Sequence, residues 1–401
     1  MELAIATTTK TTWPNGPSRK QNVLGNFFKT TITSRSPGRS PRAWLLTLPS
    51  GAYTVARTIK KEEGTTSDKG REGSLSNERK GPLFDLVHCK EMHVKRILSS
   101  HAMLKGSQHC KNDETKSSTA RLMILSAWEQ SLMFYHQNHE GGSVGKRPLM
   151  ITTLLLQDST HNKFCVHTHV TELPKVAKKP ITVQFFGSPR KMPQAKLSNW
   201  IRERMPLEKM KDESVGEIVL TNEDCIYEGL TTNFFVVRNQ TVETANNGVL
   251  EGTMQRVVIE ACKNLGIKWQ YRHPRLSEAH TWTEAFVTNV VKIITPVHSA
   301  LVPVSSKGNT ITTLQNKNDD NGSNDGKALM NLRSENTVNN DDSSIQETPI
   351  TTRKYIWKRI ILYKPFATKS GNLKQPSKSK NDLDFTSRLR MFVENEFGSV
   401  T

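Results

Sequence analysis

No stretch of this chain approaches the roughly 18 consecutive apolar residues of a membrane helix, so a soluble protein without a membrane partner is expected. Cysteine is scarce as well. The five present (Cys89, Cys110, Cys165, Cys225 and Cys262) are odd in number, scattered and without Cys-x-x-Cys spacing. That argues against a disulfide framework or a zinc site and fits free thiols in a reducing compartment. Hydrophobic residues make up only 35% of the 401 positions, low for a fully globular chain of this length. The deficit is uneven, which points to a compact, enzyme-sized body interrupted by polar insertions. A Gly-x-Ser-x-Gly elbow, a phosphate-binding P-loop and a dinucleotide fingerprint are all missing.

Positive charge is plentiful. The formal net charge of +18 raises nucleic-acid binding as a possible function. The lysines and arginines are strewn along the chain, however, with no recognition-helix pattern or basic stripe with interleaved aromatics, so no specific nucleic-acid partner is expected. Residues 1–43 hold twelve Ser or Thr, seven Lys or Arg and a single acid, Glu2. This composition suits either a disordered tail or an organelle transit peptide, placing the protein in a plastid or mitochondrion in the second case and in the cytoplasm otherwise.

Structure is expected to begin near Ala43. The alternation from Tyr53 to Ile59 reads as a strand, with Pro82-Leu-Phe-Asp-Leu86 as its returning partner across a polar tip. Helical spacing appears over His88 to Leu104 and over Arg121 to His136, with a polar loop between them, and strand patterns follow over Leu149 to Gln157 and Lys163 to Val170. The Pro- and Lys-rich stretch around Glu172 to Lys179 reads as a domain boundary. Beyond it come short strands at Ile181–Phe186, Gly216–Thr221, Cys225–Glu228, Asn233–Arg238 and Gln240–Thr244. An amphipathic helix follows over Thr253 to Leu265, then an apolar strand at Glu284–Thr288. Residues 305–347 are dominated by Asn, Asp, Ser and Lys and read as a disordered insertion. Order resumes at Tyr355–Tyr363, and a last helix spans about Asp382 to Phe397. His167 and His169 share one strand face but lack a third ligand at suitable spacing, so no metal site is expected.

Four segments match one family pattern in the right order. Ala195-Lys196-Leu-Ser-Asn-Trp200 resembles the Schiff-base lysine segment of class IV aminotransferases. Tyr227-Glu228-Gly229-Leu-Thr-Thr-Asn233-Phe-Phe-Val resembles their Glu-Gly-x-x-(Ser/Thr)-Asn-x-Phe stretch. Gly248-Val-Leu-Glu251-Gly252-Thr253-Met254-Gln-Arg resembles the Gly-led turn that opens a helix. Glu284-Ala-Phe-Val-Thr-Asn289-Val290-Val resembles the strand that closes the phosphate cup. Upstream, Gly51-Ala-Tyr-Thr-Val-Ala-Arg57-Thr and Glu91-Met-His93-Val-Lys-Arg96-Ile fit the N-terminal domain. The resemblance is closest to plant and algal D-amino-acid-aminotransferase-like proteins.

It implies an α/β, two-domain fold-type-IV enzyme that uses pyridoxal phosphate. The expected layout is a tail (1–43), a small N-terminal domain (44–177) and a larger cofactor-binding domain (178–401) containing the 305–347 insertion. Lys196 would be the Schiff base and proton shuttle. Glu228 would face the ring nitrogen and keep it protonated, so the ring acts as an electron sink. Arg57, Thr253 and Met254 would hold the phosphate, the last two through backbone N–H groups at a helix N-terminus. Asn233 and Asn289 would complete the cofactor site. Two departures stand out. Relatives place a Ser or Thr where this chain has Val290, which implies that one hydrogen bond to the phosphate is missing or displaced. Glu251 adds negative charge near the anion site. The implied reaction is amino-group transfer between a small amino acid and a keto acid, by a homodimer whose partner lines the cleft. The rival readings are an aminodeoxychorismate-lyase-like eliminase and a degenerate relative that serves as an interaction module.

Overall fold

The computed structural model describes residues 3–11, 28–37, 40–59, 82–104, 114–138, 148–158, 163–175, 179–304, 356–362 and 384–396. The polar tip after Ile59 and the insertion expected over 305–347 lie outside the described residues. The first half contains β1 (Leu3–Thr11), β2 (Phe28–Pro37), α1 (Pro41–Leu46) and β3 (Ala52–Arg57). It continues with α2 (Lys90–Leu104), α3 (Glu114–Gln137), β4 (Leu149–Gln157) and β5 (Phe164–Glu172). Its strands form one antiparallel sheet in the order β2-β1-β5-β4-β3.

The two-residue period of β3 decides what each face of this sheet does. Ala52 and Ala56 join the core that α2 and α3 build with Ile97, Met123, Trp128 and Ile151. Small side chains let the helices lie close to the sheet. Tyr53, Val55 and Arg57 take the opposite face, where Tyr53 packs with Trp44, Leu45, Leu154 and Ile201. Trp128 is fully buried, and its indole N–H donates to Thr153 Oγ1 at 2.7 Å, so its one polar atom is satisfied inside the core.

Three expectations need correcting here. Pro82–Leu86 is not a returning strand: Leu83–Leu86 forms a 3-10 turn that meets the chain after β3 only through an isolated bridge between Thr58 and Val87, while the ladder of β3 is with β4. A short segment opened by a proline, which lacks a backbone N–H, has few extended groups to offer a ladder, whereas the nine-residue, almost wholly buried Leu149–Gln157 offers a full row. The 1–43 tail is not without structure, since β1 pairs with the free edge of β5 and β2 with β1. Its threonines and Ile5 are β-formers, and pairing along an open edge draws on backbone groups rather than apolar area. Helix α3 also starts at Glu114, inside the stretch expected to be a loop.

The second half carries β6 (Ile181–Phe185), α4 (Trp200–Glu203), α5 (Met205–Lys209), β7 (Val215–Asn222), β8 (Cys225–Gly229) and β9 (Asn233–Arg238). It continues through β10 (Thr241–Thr244), α6 (Thr253–Asn264), β11 (Lys268–Tyr271), β12 (Trp282–Asn289), β13 (Ile293–Val304), β14 (Ile356–Ile361) and α7 (Phe385–Glu396). The sheet runs β11-β10-β9-β12-β13-β6-β7-β8 with β14 added on β13, and it closes on itself because β8 also pairs with β9. Phe185, Val219, Phe234, Val236 and Val287 fill its interior. On the outside, α6 buries Met254, Val258, Ala261 and Cys262 against Phe235, Val237 and Phe286. Helix α7 joins them through Leu389 and Val393, and its N-terminus is anchored by Glu284, whose carboxylate accepts from the backbone N–H groups of Phe385 (2.9 Å) and Thr386 (2.7 Å).

Candidate active site

Between the two sheets lies a cavity of about 220 Å³, reached by side chains from β3, α2, β8, β9, α6, β12 and the segment before α4. Lys196, Glu228, Asn233, Thr253, Met254, Asn289 and Val290 all line it. Arg57 is just behind its wall, fully buried, with Nη1 donating to the Val290 carbonyl at 3.3 Å.

Lys196 is fixed by the first half of the chain. Its backbone N–H donates to Ser100 Oγ on α2 at 2.9 Å, and its carbonyl accepts from Tyr53 N–H on the edge of β3 at 3.0 Å. The ammonium lies over the Tyr53 ring, 4.9 Å from its centroid. The residue is only half-buried by surface, because it opens on the cavity, yet protein surrounds it closely. That desolvation holds its pKa well below the usual lysine value, and the charges of Arg96, Arg190 and Arg204 add to the effect while Glu228 opposes it.

Glu228 ends β8 and faces Asn233 across a tight β8–β9 connection. A Cβ at Gly229 would lie 2.1 Å from Thr232 Oγ1, which is why this turn takes glycine. The Glu228 carboxylate is nearly buried. Oε1 accepts from Arg190 Nε at 2.8 Å, and Oε2 accepts from Leu250 N–H at 3.0 Å. Burial pushes its pKa up, with Arg190, the Leu250 N–H and Lys196 working against that rise.

Asn233 Nδ2 donates to the Leu250 carbonyl at 2.7 Å, tying the hairpin to the turn before α6. Gly252 is the N-cap, and a Cβ there would sit 2.1 Å from Asn233 Oδ1. Helix geometry leaves the N–H groups of Thr253 and Met254 without acceptors in their own helix. The Glu251 carboxylate, expected to repel an anion here, is neutralised by Arg256 through two contacts at 2.5 Å.

The β12–β13 turn is organised by Asn289, whose Oδ1 accepts from Val291 N–H (3.0 Å) and Lys292 N–H (2.7 Å). The Asn289 side chain is thus engaged by its own turn while it lines the cavity. Val290 packs into the α6 core. Thr288, two positions earlier and paired with Asn233, lines the cavity with a buried hydroxyl that has no hydrogen-bond partner. Sequence reasoning gives Arg190, Arg96 and Thr288 no role of their own. Arg190 lies in Gly187-Ser-Pro-Arg190, which carries no distinctive pattern. The His167–His169 pair lies away from this cavity, with His169 stacked on Trp44.

A profile of the class IV aminotransferase family matches residues 87–300. The chain belongs to the class IV aminotransferase family. Among solved structures it is similar to a fold IV-transaminase from Curtobacterium pusillum, at 16% identity over 74% of this chain and 90% of that one, with a TM-score of 0.52. It is also similar to a putative branched-chain amino acid aminotransferase from Thermotoga maritima (17% identity, 74% and 86% covered, TM-score 0.45). A third is a hypothetical aminotransferase from Mycobacterium tuberculosis in its PLP-bound form (11% identity, 62% and 81% covered, TM-score 0.44). The curated proteins contain no match. Family membership bears out the α/β fold-type-IV class and makes this class IV aminotransferase one of the pyridoxal-phosphate enzymes. The cavity's donors suit that cofactor: an amine, a buried carboxylate, and an anion site made of a helix N-terminus and an unpartnered buried hydroxyl, backed by a buried guanidinium.

Proposed function

We propose that the protein transfers an amino group between a small amino acid and a keto acid, with Lys196 as the residue that holds the cofactor and moves the proton at the substrate Cα. The observation that carries this reading is the convergence on one cavity of a lysine with a strongly lowered pKa and a buried, arginine-held carboxylate. A lysine serves as nucleophile and base only as the neutral amine, and the desolvation around Lys196 favours that form. Bound pyridoxal phosphate supplies an electron sink for the pair released when the Cα proton leaves. Glu228 would hold the ring nitrogen in its protonated form, and Arg190 favours the ionised carboxylate by opposing the rise in pKa that burial imposes. Arg57, Thr253 N–H, Met254 N–H and the Thr288 hydroxyl would grip the phosphate, the last offsetting the hydroxyl missing at Val290. Asn233 would act through the α6 turn that it ties to the hairpin.

Purified protein should carry, or take up, a cofactor absorption band outside the protein's own range. Borohydride should then attach the cofactor to the peptide containing Lys196, and Lys196→Ala should lose that attachment. A colourless protein that ignores added pyridoxal phosphate refutes the proposal and leaves the fold serving another role. Keto-acid-dependent amino transfer, as against pyruvate release from aminodeoxychorismate, separates transaminase from lyase. A homodimer belongs to the same proposal and is read by light scattering.

A further inference from the structure

Five cationic side chains line the cavity, Arg42, Arg96, Arg190, Lys196 and Arg204, against a single carboxylate, Glu228. Arg190 is paired with Glu228, and Lys196 sheds its proton readily. Arg42 and Arg204 reach the cavity from opposite halves of the chain and share one acid outside it, Glu208. Their burial differs. The Arg42 side chain is 41% exposed, so water also answers its charge, whereas that of Arg204 is only 11% exposed. Arg204 stands at the junction of α4 and α5, and its Nε donates to Glu208 Oε1 at 2.9 Å. Its Nη1 and Nη2 groups make no hydrogen bond among the described residues. They are not sealed inside the protein either, so they open on the cavity that Arg204 lines.

One carboxylate divided between two guanidiniums leaves the cluster a positive charge in excess, on the member that water reaches less. A largely buried cation of that kind is costly unless an anion comes to it, and the free Nη end of a guanidinium takes a carboxylate in a two-pronged manner. Position along the cavity says which anion. Coulomb interactions fall with distance, and of the three arginines that depress Lys196, Arg96 acts most strongly and Arg204 least. The groups on the carbon that Lys196 would serve therefore lie towards Arg96, and Arg204 lies where the rest of an amino acid extends. The cavity wall from the first half is apolar there, with Leu45, Val55 and Met150. Together they match a short methylene chain that ends in a negative charge. An uncharged side chain in the same place strips water from the guanidinium and returns no anion, which disfavours it.

We infer that Arg204 determines specificity by receiving an anionic group at the end of the substrate's side chain, so that acidic amino acids are preferred to neutral ones of the same length. This rests on the proposed aminotransferase function and narrows its substrate. The test uses the cofactor-loaded protein and two racemic probes that have no Cα proton to lose, α-methylglutamate and α-methylglutamine, which match in shape and differ in one charge. Dissociation constants are read from the shift in cofactor absorbance. Wild-type protein binds the acidic probe more tightly. Arg204→Gln leaves Glu208 paired with Arg42 and reduces that preference by roughly ten- to hundredfold, the range for a hydrogen bond to a charged group. Glu208→Gln frees Arg204 from its competing carboxylate and enlarges the preference. A near-ultraviolet circular dichroism spectrum like the wild type's shows that each variant is folded. Four results overturn the inference: no preference for the acidic probe in wild type, a preference unchanged in Arg204→Gln, a preference that falls in Glu208→Gln, or an equal weakening of both probes in Arg204→Gln, which assigns Arg204 to the framework. Failure of the aminotransferase function itself looks different, because no cofactor absorbance is then present for either probe to shift.

Discussion

Replacing Arg190 with glutamine removes the cation that holds Glu228, and the structure sets the size of the effect. The pair is desolvated, with side chains 7% and 6% exposed and a contact at 2.7 Å. It therefore lies outside the surface regime of about 0–1 kcal/mol and inside the one where removing a single partner of a buried pair costs about 3–5 kcal/mol. The same change loses the Arg190 donation to the Pro193 carbonyl at 2.8 Å and the packing of the guanidinium 5.3 Å from the Trp200 ring centroid. Electrostatics add a second signature. Arg190 is the strongest influence restraining the rise of the Glu228 pKa, and it also depresses Lys196. Without it both values move up, so Glu228 is more often neutral and Lys196 more often charged at a given pH. The acid limb of kcat/KM should therefore move to higher pH in Arg190→Gln, and less so in Arg190→Lys, which keeps the charge. Denaturant unfolding and a pH–rate profile read the two effects separately. A variant whose stability stays within about 1 kcal/mol of wild type and whose acid limb does not move would refute the pairing and the role assigned to Glu228.

Other consequences can be checked in the same way. Thr288→Val should weaken pyridoxal phosphate binding by roughly tenfold, and Val290→Thr in that background should restore part of it, read by fluorescence titration of the apo-protein. His88 has its pKa lowered to about 4, by burial first and by the Arg57 charge second. The unfolded chain takes up a proton below the ordinary 6.5 that the folded chain refuses, so stability is lost as pH falls from about 6.5 to about 4. His88→Gln should flatten that window in acid unfolding curves. Trp128→Ala should cost about 3–5 kcal/mol in denaturant unfolding, since the cavity it leaves is walled by α2, α3 and the sheet. Glu284→Ala removes the carboxylate that accepts from two backbone N–H groups at the α7 N-terminus and should raise amide exchange over Phe385–Glu396 selectively.

The parts of this protein legible in its sequence are those whose causes are local. Leu149–Gln157 and Asn233–Arg238 begin and end where their side-chain patterns do, and α6 spans the stretch in which Met254, Val258, Ala261 and Cys262 recur on one face. The Glu228–Gly229–Asn233 segment is readable because a single hairpin imposes all three residues. The turn needs Gly229, and Asn233 must reach Leu250. What stays hidden depends on pairings between distant positions. Arg190 finds Glu228 across 38 residues, and Lys196 N–H finds Ser100 across 96. Nothing in the local pattern around Arg190 separates it from the other basic residues of a strongly basic chain, and the segment Glu91–Ile97 fits the family pattern without giving Arg96 a role of its own. The partner of β3 is misread from sequence for the same reason: nearness along the chain favours Pro82–Leu86, while the ladder goes to β4, which offers more extended, apolar backbone.

The way the site is divided explains why its chemistry belongs to neither half alone. The amine proposed to react is held by the first half, since the Lys196 backbone is bonded to Ser100 and Tyr53, and Ser198 N–H donates to the Gly51 carbonyl at 2.9 Å. The carboxylate and the helix N-terminus belong to the second sheet, bound to one another through Leu250 and Asn233. In the proposed reaction the registration of amine against ring would therefore depend on how β3 and α2 pack against β8 and α6, and Arg57 crosses that boundary to the Val290 carbonyl. A shift of about 1 Å between reacting groups can cost about a hundredfold in rate. Substitutions at Ser100 or Gly51, remote from any reacting atom, are for that reason expected to lower kcat while leaving the phosphate end of the site intact.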